Sequence, residues 1–205
     1  MEASGLGEVG PRRRPGGRAA AVVAAVRRAA VELLEEVGYE GLVLTDVASR
    51  AGVNKTTVYR RWPTRVQLVS DILLAQAAEQ VGTPDTGDLV GDLCVLLADV
   101  AALLRTRAAR AVLAALVAGE SDPAVAVARD AFWAERFGRS AVIVERAVRR
   151  GELPPGTDAR LLLEEASSPV YFRLMFTGEP VGPADIELFA RRAAETARAR
   201  PSSRR

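Results

Sequence analysis

Apolar residues recur every three or four positions along most of the chain, which is the spacing of one face of an α-helix. The first such stretch covers about 18–37, and Gly38 follows it as a candidate C-terminal cap. No alternating run typical of a strand occurs. The pattern predicts an all-α protein of about nine helices, two of them short and the others near 18–37, 66–81, 88–104, 107–118, 122–150, 159–177 and 183–199.

The two short helices are predicted to form a helix-turn-helix between residues 45 and 62. Thr45 is a candidate N-cap for the first of them, and Gly52 suits the left-handed backbone that ends it. Ala48 leaves room for a second helix to cross closely, while Val58 falls on the inner face of that helix. The spacing of Ala48, Gly52 and Val58 is what two helices joined by a tight turn require.

The outer face of the second short helix, which Asn54 caps, is polar and basic. An ordinary solvated face carries carboxylates, but none occurs between Val47 and Asp71. The first residues of a recognition helix enter the major groove, and the residues that follow reach phosphates. We therefore assign base-edge contacts to Lys55, Thr56 and Thr57, phosphate contacts to Tyr59, Arg61, Arg65 and the helix N-terminus at Thr45, and either role to Arg60.

Charge and composition narrow the function further. Residues 1–65 hold eleven Lys/Arg and seven Asp/Glu, a net +4, whereas residues 66–205 hold seventeen and nineteen, a net −2. A basic first third suits nucleic acid, and the remainder suits protein or a small molecule. With no histidine and one cysteine, Cys94, zinc, haem and Ser-His-Asp chemistry are nearly excluded. We therefore expect that the protein is not an enzyme and binds no metal or cofactor. We also expect a cytoplasmic protein without a membrane-spanning helix.

The segment LTDVASRAGVNKTTVYRRWPTRVQLV, residues 44–69, resembles the DNA-binding head of the tetracycline-repressor (TetR) type regulators. In that family three N-terminal helices form the head, and a tyrosine followed by an aromatic-Pro step closes the recognition helix. Here these are Tyr59 and Trp62-Pro63. The C-terminal residues 151–181 resemble one TetR subgroup through the small-Pro-aromatic pattern at 168–173.

The resemblance implies a bacterial transcription regulator, commonly a repressor, that binds a palindromic operator as a homodimer and is released by a small apolar effector. The expected organisation is a flexible basic arm (1–17), the head (18–65), a helical effector-binding and dimerisation domain (66–199) and a flexible tail (200–205). Three alternatives stay open: a ligand-independent or architectural DNA-binding protein, a helical enzyme or adaptor, and an activator in place of a repressor.

The family places dimerisation on the last two helices and the effector among the central ones. The predicted dimer interface comprises Leu162, Ala166, Val170, Ile186, Phe189 and Ala193. The predicted pocket comprises Leu73, Leu97, Leu116, Trp133 and Phe137. Packing within one chain is the alternative for both sets. The nearby polar residues Arg136 and Asp99 are expected at the surface.

Overall fold

The structure is a computed structural model that describes residues 16–118 and 123–200. Within these ranges it contains helices and no strand, which confirms the all-α prediction. The helices are α1 (Gly16–Gly41), α2 (Leu44–Arg50), α3 (Lys55–Arg61), α4 (Arg65–Gln80), α5 (Leu89–Arg105), α6 (Arg107–Ala118), α7 (Pro123–Arg149), α8 (Ala159–Tyr171) and α9 (Pro183–Ala199). A π-helical segment, Phe172–Thr177, continues α8 directly. The predicted arm and tail lie outside the described residues except for 16–17 and Arg200.

Side-chain caps fix where several helices begin. Asn54 Oδ1 accepts the Thr56 N–H at 2.9 Å, as predicted, and Asp158 Oδ1 accepts the Leu161 N–H at 3.0 Å at the start of α8. Thr45, by contrast, is not an N-cap. The cap residue of α2 is the extended Val43, because Leu44 is drawn into the core and is already helical. Thr45 therefore lies in the first turn of α2.

Helix α1 is kinked at Gly38, where the sequence predicted a C-terminal cap. Gly38 has φ +71° and ψ −176°, a conformation that a side chain with a Cβ rarely adopts. After Gly38 the backbone returns to helical geometry, and the helix ends at Gly41. The break turns the chain so that α2 can pack against α1.

One continuous hydrophobic core joins the first four helices to the rest of the chain. Helix α4 begins in the head and packs against α1 as well as against α5, α6 and α7. Helix α5 is central and contacts α4, α6, α7, α8 and α9, which explains why its sequence is apolar on nearly every side. None of the described helices combines the length and the apolarity that crossing a membrane requires.

Candidate nucleic-acid interface

The turn between α2 and α3 has the geometry that the sequence predicted. Gly52 has φ +66°, and the Val53 N–H donates to Ala48 O at 3.0 Å to close the turn. Ala48 and Val58 are 2% and 0% exposed, so they form the contact between the two helices. This contact leaves the opposite side of α3 facing solvent.

The exposed side of α3 brings together most of the residues predicted to contact DNA. Lys55, Thr56, Tyr59, Arg60 and Arg61 are exposed, while Thr57 is half-buried. Tyr59 keeps 41% of its surface accessible, a large value for an aromatic residue. Within the described ranges, Lys55, Tyr59 and Arg60 form no side-chain hydrogen bond or ion pair. Their polar groups are therefore free for a ligand, and no carboxylate competes on this face.

The rear of α3 is fixed by Asp71, a residue that the sequence analysis missed. The Trp62 Nε1–H donates to Asp71 Oδ2 at 3.0 Å, just after α3 ends. Arg27 of α1 donates to the same carboxylate through Nε (3.0 Å) and Nη2 (2.9 Å). Asp71 thus joins α1, the end of α3 and α4. In the sequence Asp71 is a carboxylate inside the apolar stretch of α4, and its neighbours Ser70 and Ile72 are buried in the structure.

Arg65 lies at the junction of α4 and α1, away from the exposed face of α3. Its Nη1 donates to the carbonyls of Tyr39 and Glu40, both at 2.9 Å, and its guanidinium lies 4.1 Å from the Tyr39 ring centroid. The carbonyls at the end of a helix have no hydrogen-bond donor within that helix. At the end of α1, Arg65 supplies the missing donor. A phosphate contact from Arg65 would have to share a guanidinium that already binds two carbonyls.

Comparison with known proteins identifies the chain. The family model for bacterial regulatory proteins of the tetR family matches residues 26–72. The tetracyclin repressor-like C-terminal domain model matches residues 83–193, more than half of the chain. The chain belongs to the TetR family. It is therefore a helix-turn-helix transcription regulator that binds DNA, and not an enzyme.

Individual relatives cover both parts of this TetR-family chain. The HTH-type transcriptional regulator AqdR of Rhodococcus erythropolis is 34% identical over 135 residues, which are 66% of this chain and 65% of AqdR, just under two thirds. An uncharacterized HTH-type regulator of Bacillus subtilis, YdeS, is 28% identical over 79% of this chain and 82% of its own. The crystal structure of the TetR family regulator SCO0332 aligns with TM-score 0.74 and 30% identity, covering 85% of this chain and 97% of that one.

The C-terminal part of this TetR-family chain contains a cavity of about 490 Å³ between α6, α7, α8 and the π-helical segment. Its wall is largely aromatic. Trp133 stacks on Phe137 with ring centroids 5.6 Å apart, and Tyr171 meets Trp133 edge-on at 5.5 Å. The remaining lining residues are Leu113, Arg160, Glu164, Ser167, Ser168, Phe172, Met175 and Phe176.

Two of the predicted pocket residues line this cavity, namely Trp133 and Phe137. Leu73 and Leu97 are fully buried and lie in the core. The side chain of Leu116 is outside the described residues. The prediction placed the effector among the central helices and missed the contribution of α8 and the π-helical segment. Pro169 inside a helix, followed by closely spaced aromatic residues, is the sequence signal for that irregular wall.

Arg136 is buried, whereas the sequence predicted it at the surface. It is only 7% exposed. It lines a chamber of about 20 Å³ whose wall shares Trp133, Phe137, Ser167 and Tyr171 with the larger cavity. Burial lowers the pKa of Arg136 from its ordinary value, and burial raises the pKa of Tyr171 to about 12. Asp99, also expected at the surface, is half-buried and accepts the Gly82 N–H at 3.2 Å.

The residues predicted for the dimer interface are buried within one chain. Leu162, Ala166, Val170 and Ala193 are 0–3% exposed, and Ile186 and Phe189 are 9% and 8% exposed. They pack where α5, α8 and α9 meet. Other apolar residues of the same region face outward: Leu161 (38% exposed), Phe172 (58%), Phe176 (72%) and Leu188 (42%).

Proposed function

We propose that the protein represses transcription by binding a palindromic operator as a homodimer, and that a small apolar molecule in the cavity releases it. The observation that carries the DNA-binding part is the outer face of α3. There Lys55, Tyr59 and Arg60 are exposed and unpaired within the described chain, and no carboxylate lies between Val47 and Asp71. Such a face attracts phosphates and leaves polar groups free for base edges.

The position of each residue on α3 assigns its role in this proposal. Lys55, Thr56 and Thr57 occupy the first turn, so they enter the major groove, where a lysine donates to guanine O6 and N7. Tyr59, Arg60 and Arg61 follow on the next turn and contact phosphates. The first turn of α2 presents Thr45 and its backbone N–H groups to the DNA backbone. Arg65 positions the head by binding the end of α1.

A homodimer is proposed through the outward face of α8 and α9. Members of this family are generally homodimers, and a palindrome requires two heads about one DNA turn apart, roughly 34–36 Å. The dimer surface includes Leu161 and Phe172 of the α8 region together with Leu188 of α9, because these residues are apolar and exposed in one chain. The predicted residues Ile186 and Phe189 lie beneath this face and stabilise the helix pair.

A route from the cavity to the heads exists in the packing. Helix α7, which carries Trp133 and Phe137, packs against α4, and α4 holds Asp71 in the head. Helix α6, which contributes Leu113 to the cavity, packs against α1. A ligand that moves α6 or α7 changes the separation of the two heads. It releases DNA only if it binds that arrangement more tightly than the DNA-bound one.

Footprinting with variants tests the DNA-binding part. DNA upstream of the protein's own gene is probed with the parent, Lys55→Ala, Arg60→Ala and Arg110→Ala, the last removing an equally exposed cation from α6. We expect a protected palindrome for the parent and an altered base preference for K55A. R60A should weaken specific and random DNA alike and reduce the salt slope by about one. R110A should match the parent.

The proposal fails if K55A and R60A bind specific and random DNA as the parent does. Protection without a preferred palindrome would instead favour the architectural alternative. Repeating the footprint with candidate small molecules tests release. A molecule that binds the cavity tightly and leaves operator affinity unchanged would contradict the ligand part alone.

A further inference from the structure

The small chamber beside the aromatic cavity is lined by two buried polar side chains, Arg136 and Ser140. Ser140 is 3% exposed, and its Oγ has no hydrogen-bond partner. Arg136 is 7% exposed, and within the described ranges it forms no hydrogen bond and no ion pair. Both side chains line the same chamber of about 20 Å³. That volume holds one water-sized group.

A buried cation without a counter-ion is costly, because burial removes its hydration and nothing replaces it. The carboxylate nearest in electrostatic influence, Asp99, favours the charged form of Arg136 but lies beyond ion-pair distance and instead accepts the Gly82 N–H. Arg139 opposes the charge of Arg136. An arginine stays protonated even when burial lowers its pKa. The chamber therefore presents a positive charge and a free hydroxyl to whatever enters it.

The surroundings of the chamber determine what kind of molecule fits. The rest of its wall is mostly apolar and includes Leu96, Val100 and Leu163. Through Trp133 and Phe137 it adjoins the cavity of about 490 Å³, a size that suits a small-molecule ligand. That cavity is lined by aromatic rings and Met175, and its charged residues Arg160 and Glu164 pair with each other at 2.7 Å. A complementary ligand has an apolar, ring-containing body and one anionic group at its end.

We propose that the effector is an amphipathic acid whose anionic head is held by Arg136 and Ser140 while its apolar body fills the aromatic cavity. This inference rests on the proposed function and specifies the ligand class of the same cavity. The chamber admits one carboxylate oxygen, which accepts a charge-assisted hydrogen bond from the Arg136 guanidinium and a second hydrogen bond from the Ser140 hydroxyl. The acid also supplies a counter-ion, which Arg136 lacks among the residues that the structure describes. Sequence-specific DNA contacts play no part in this recognition.

The experiment compares matched acid and amide probes on the full-length protein by calorimetry: 2-naphthoate with 2-naphthamide, and decanoate with decanamide. The parent should bind at least one acid about tenfold or more tighter than its amide, because a charge-assisted pair is lost in the amide. Arg136→Met should abolish that preference by weakening the acid and leaving the amide unchanged. Ser140→Ala should reduce it by a smaller factor. Arg149→Met is the matched control, because it removes an exposed arginine of α7 that lines neither the cavity nor the chamber, and it should keep the preference.

Stability supplies a readout that does not depend on binding. Since R136M removes an unpaired buried charge, its thermal midpoint without ligand should equal or exceed that of the parent. A large fall in that midpoint would show that Arg136 is structural, which overturns the proposal. Three other results would also overturn it. The first is equal binding of acid and amide in both pairs, and the second is no binding of either acid. The third is loss of the preference in Arg160→Met but not in R136M. An Arg136-dependent acid that leaves operator affinity unchanged supports this inference and contradicts only the release step of the proposed function.

Discussion

Replacing Asp71 tests how the recognition helix is held in place. In the parent, the carboxylate accepts from Trp62 Nε1 at 3.0 Å and from Arg27 Nε and Nη2 at 3.0 and 2.9 Å. Trp62 is 3% exposed, so in Asp71→Ala its indole N–H loses its acceptor in a place that water barely reaches. Arg27 loses both of its bonds as well. The variant therefore removes the hydrogen bonds that link the end of α3 to α1 and α4, and it leaves the residues on the outer face of α3 unchanged.

The size of the effect follows from burial. The ion pair has side chains 32% and 27% exposed, so solvent screens part of it and its contribution is about 1 kcal/mol. Leaving the buried indole N–H unpaired costs a further 1–3 kcal/mol or so. We therefore expect D71A to lower the free energy of unfolding by about 2–4 kcal/mol. Asp71→Asn should lose roughly half as much, because its carbonyl oxygen still accepts from Trp62.

Urea unfolding followed by circular dichroism measures this difference. The matched control is Glu36→Ala, which breaks another two-point arginine–carboxylate contact within the head, Glu36 with Arg50 at 2.6 and 2.8 Å. Those side chains are 54% and 34% exposed and contact no buried tryptophan, so E36A should lie close to the parent. The reasoning is refuted if D71A is as stable as E36A, or if D71N is no more stable than D71A.

Two further predictions concern the C-terminal helices. Leu161→Glu and Leu188→Glu should shift the protein from dimer to monomer in sedimentation velocity at micromolar concentration, whereas Val127→Glu, an equally apolar exposed site on α7, should not; a monomeric parent would refute the proposed dimer. Burial raises the pKa of Tyr171 from 10.0 to about 12, so the stability it confers is complete below pH 10 and is lost as the pH rises through 12. Absorbance titration should show a tyrosinate step near pH 12 that Tyr171→Phe removes, and the burial argument is contradicted if the step that this variant removes is already complete by pH 10.

The head could be predicted almost residue by residue because its determinants are local. A tight turn needs a glycine with positive φ, a helix start needs a capping side chain, and each was visible within a few residues of sequence at Gly52 and Asn54. Thr45 shows the limit of such local rules. It is a good capping residue, but Leu44 is buried and α2 begins two residues earlier than a cap at Thr45 would place it. Arg65 shows the same limit, since no local rule shows that its guanidinium reaches the end of α1.

The sequence predicted the number and position of the C-terminal helices. It did not predict what the apolar face of each helix packs against. Helical spacing shows that Leu162, Ala166 and Val170 face something apolar, and it does not distinguish their own chain from a second one. In the structure that partner is their own chain, since α8 packs against α9, α7 and α5. Periodicity predicts which residues are buried, whereas the identity of the contact depends on the tertiary arrangement.

Arg136 shows that periodicity also applies to polar residues. Phe132, Arg136, Ser140, Ile143 and Ala147 follow one another at spacings of four, four, three and four, which is one face of α7, and all five are buried. The spacing alone therefore placed an arginine and a serine on the inner stripe of this helix, and only the usual preference of arginine for the surface argued against it. In such a case spacing and residue type disagree. Two polar residues one helical turn apart on an apolar stripe then mark a place where the fold tolerates the free-energy cost of burying polar groups. In this protein that place is the wall of a cavity.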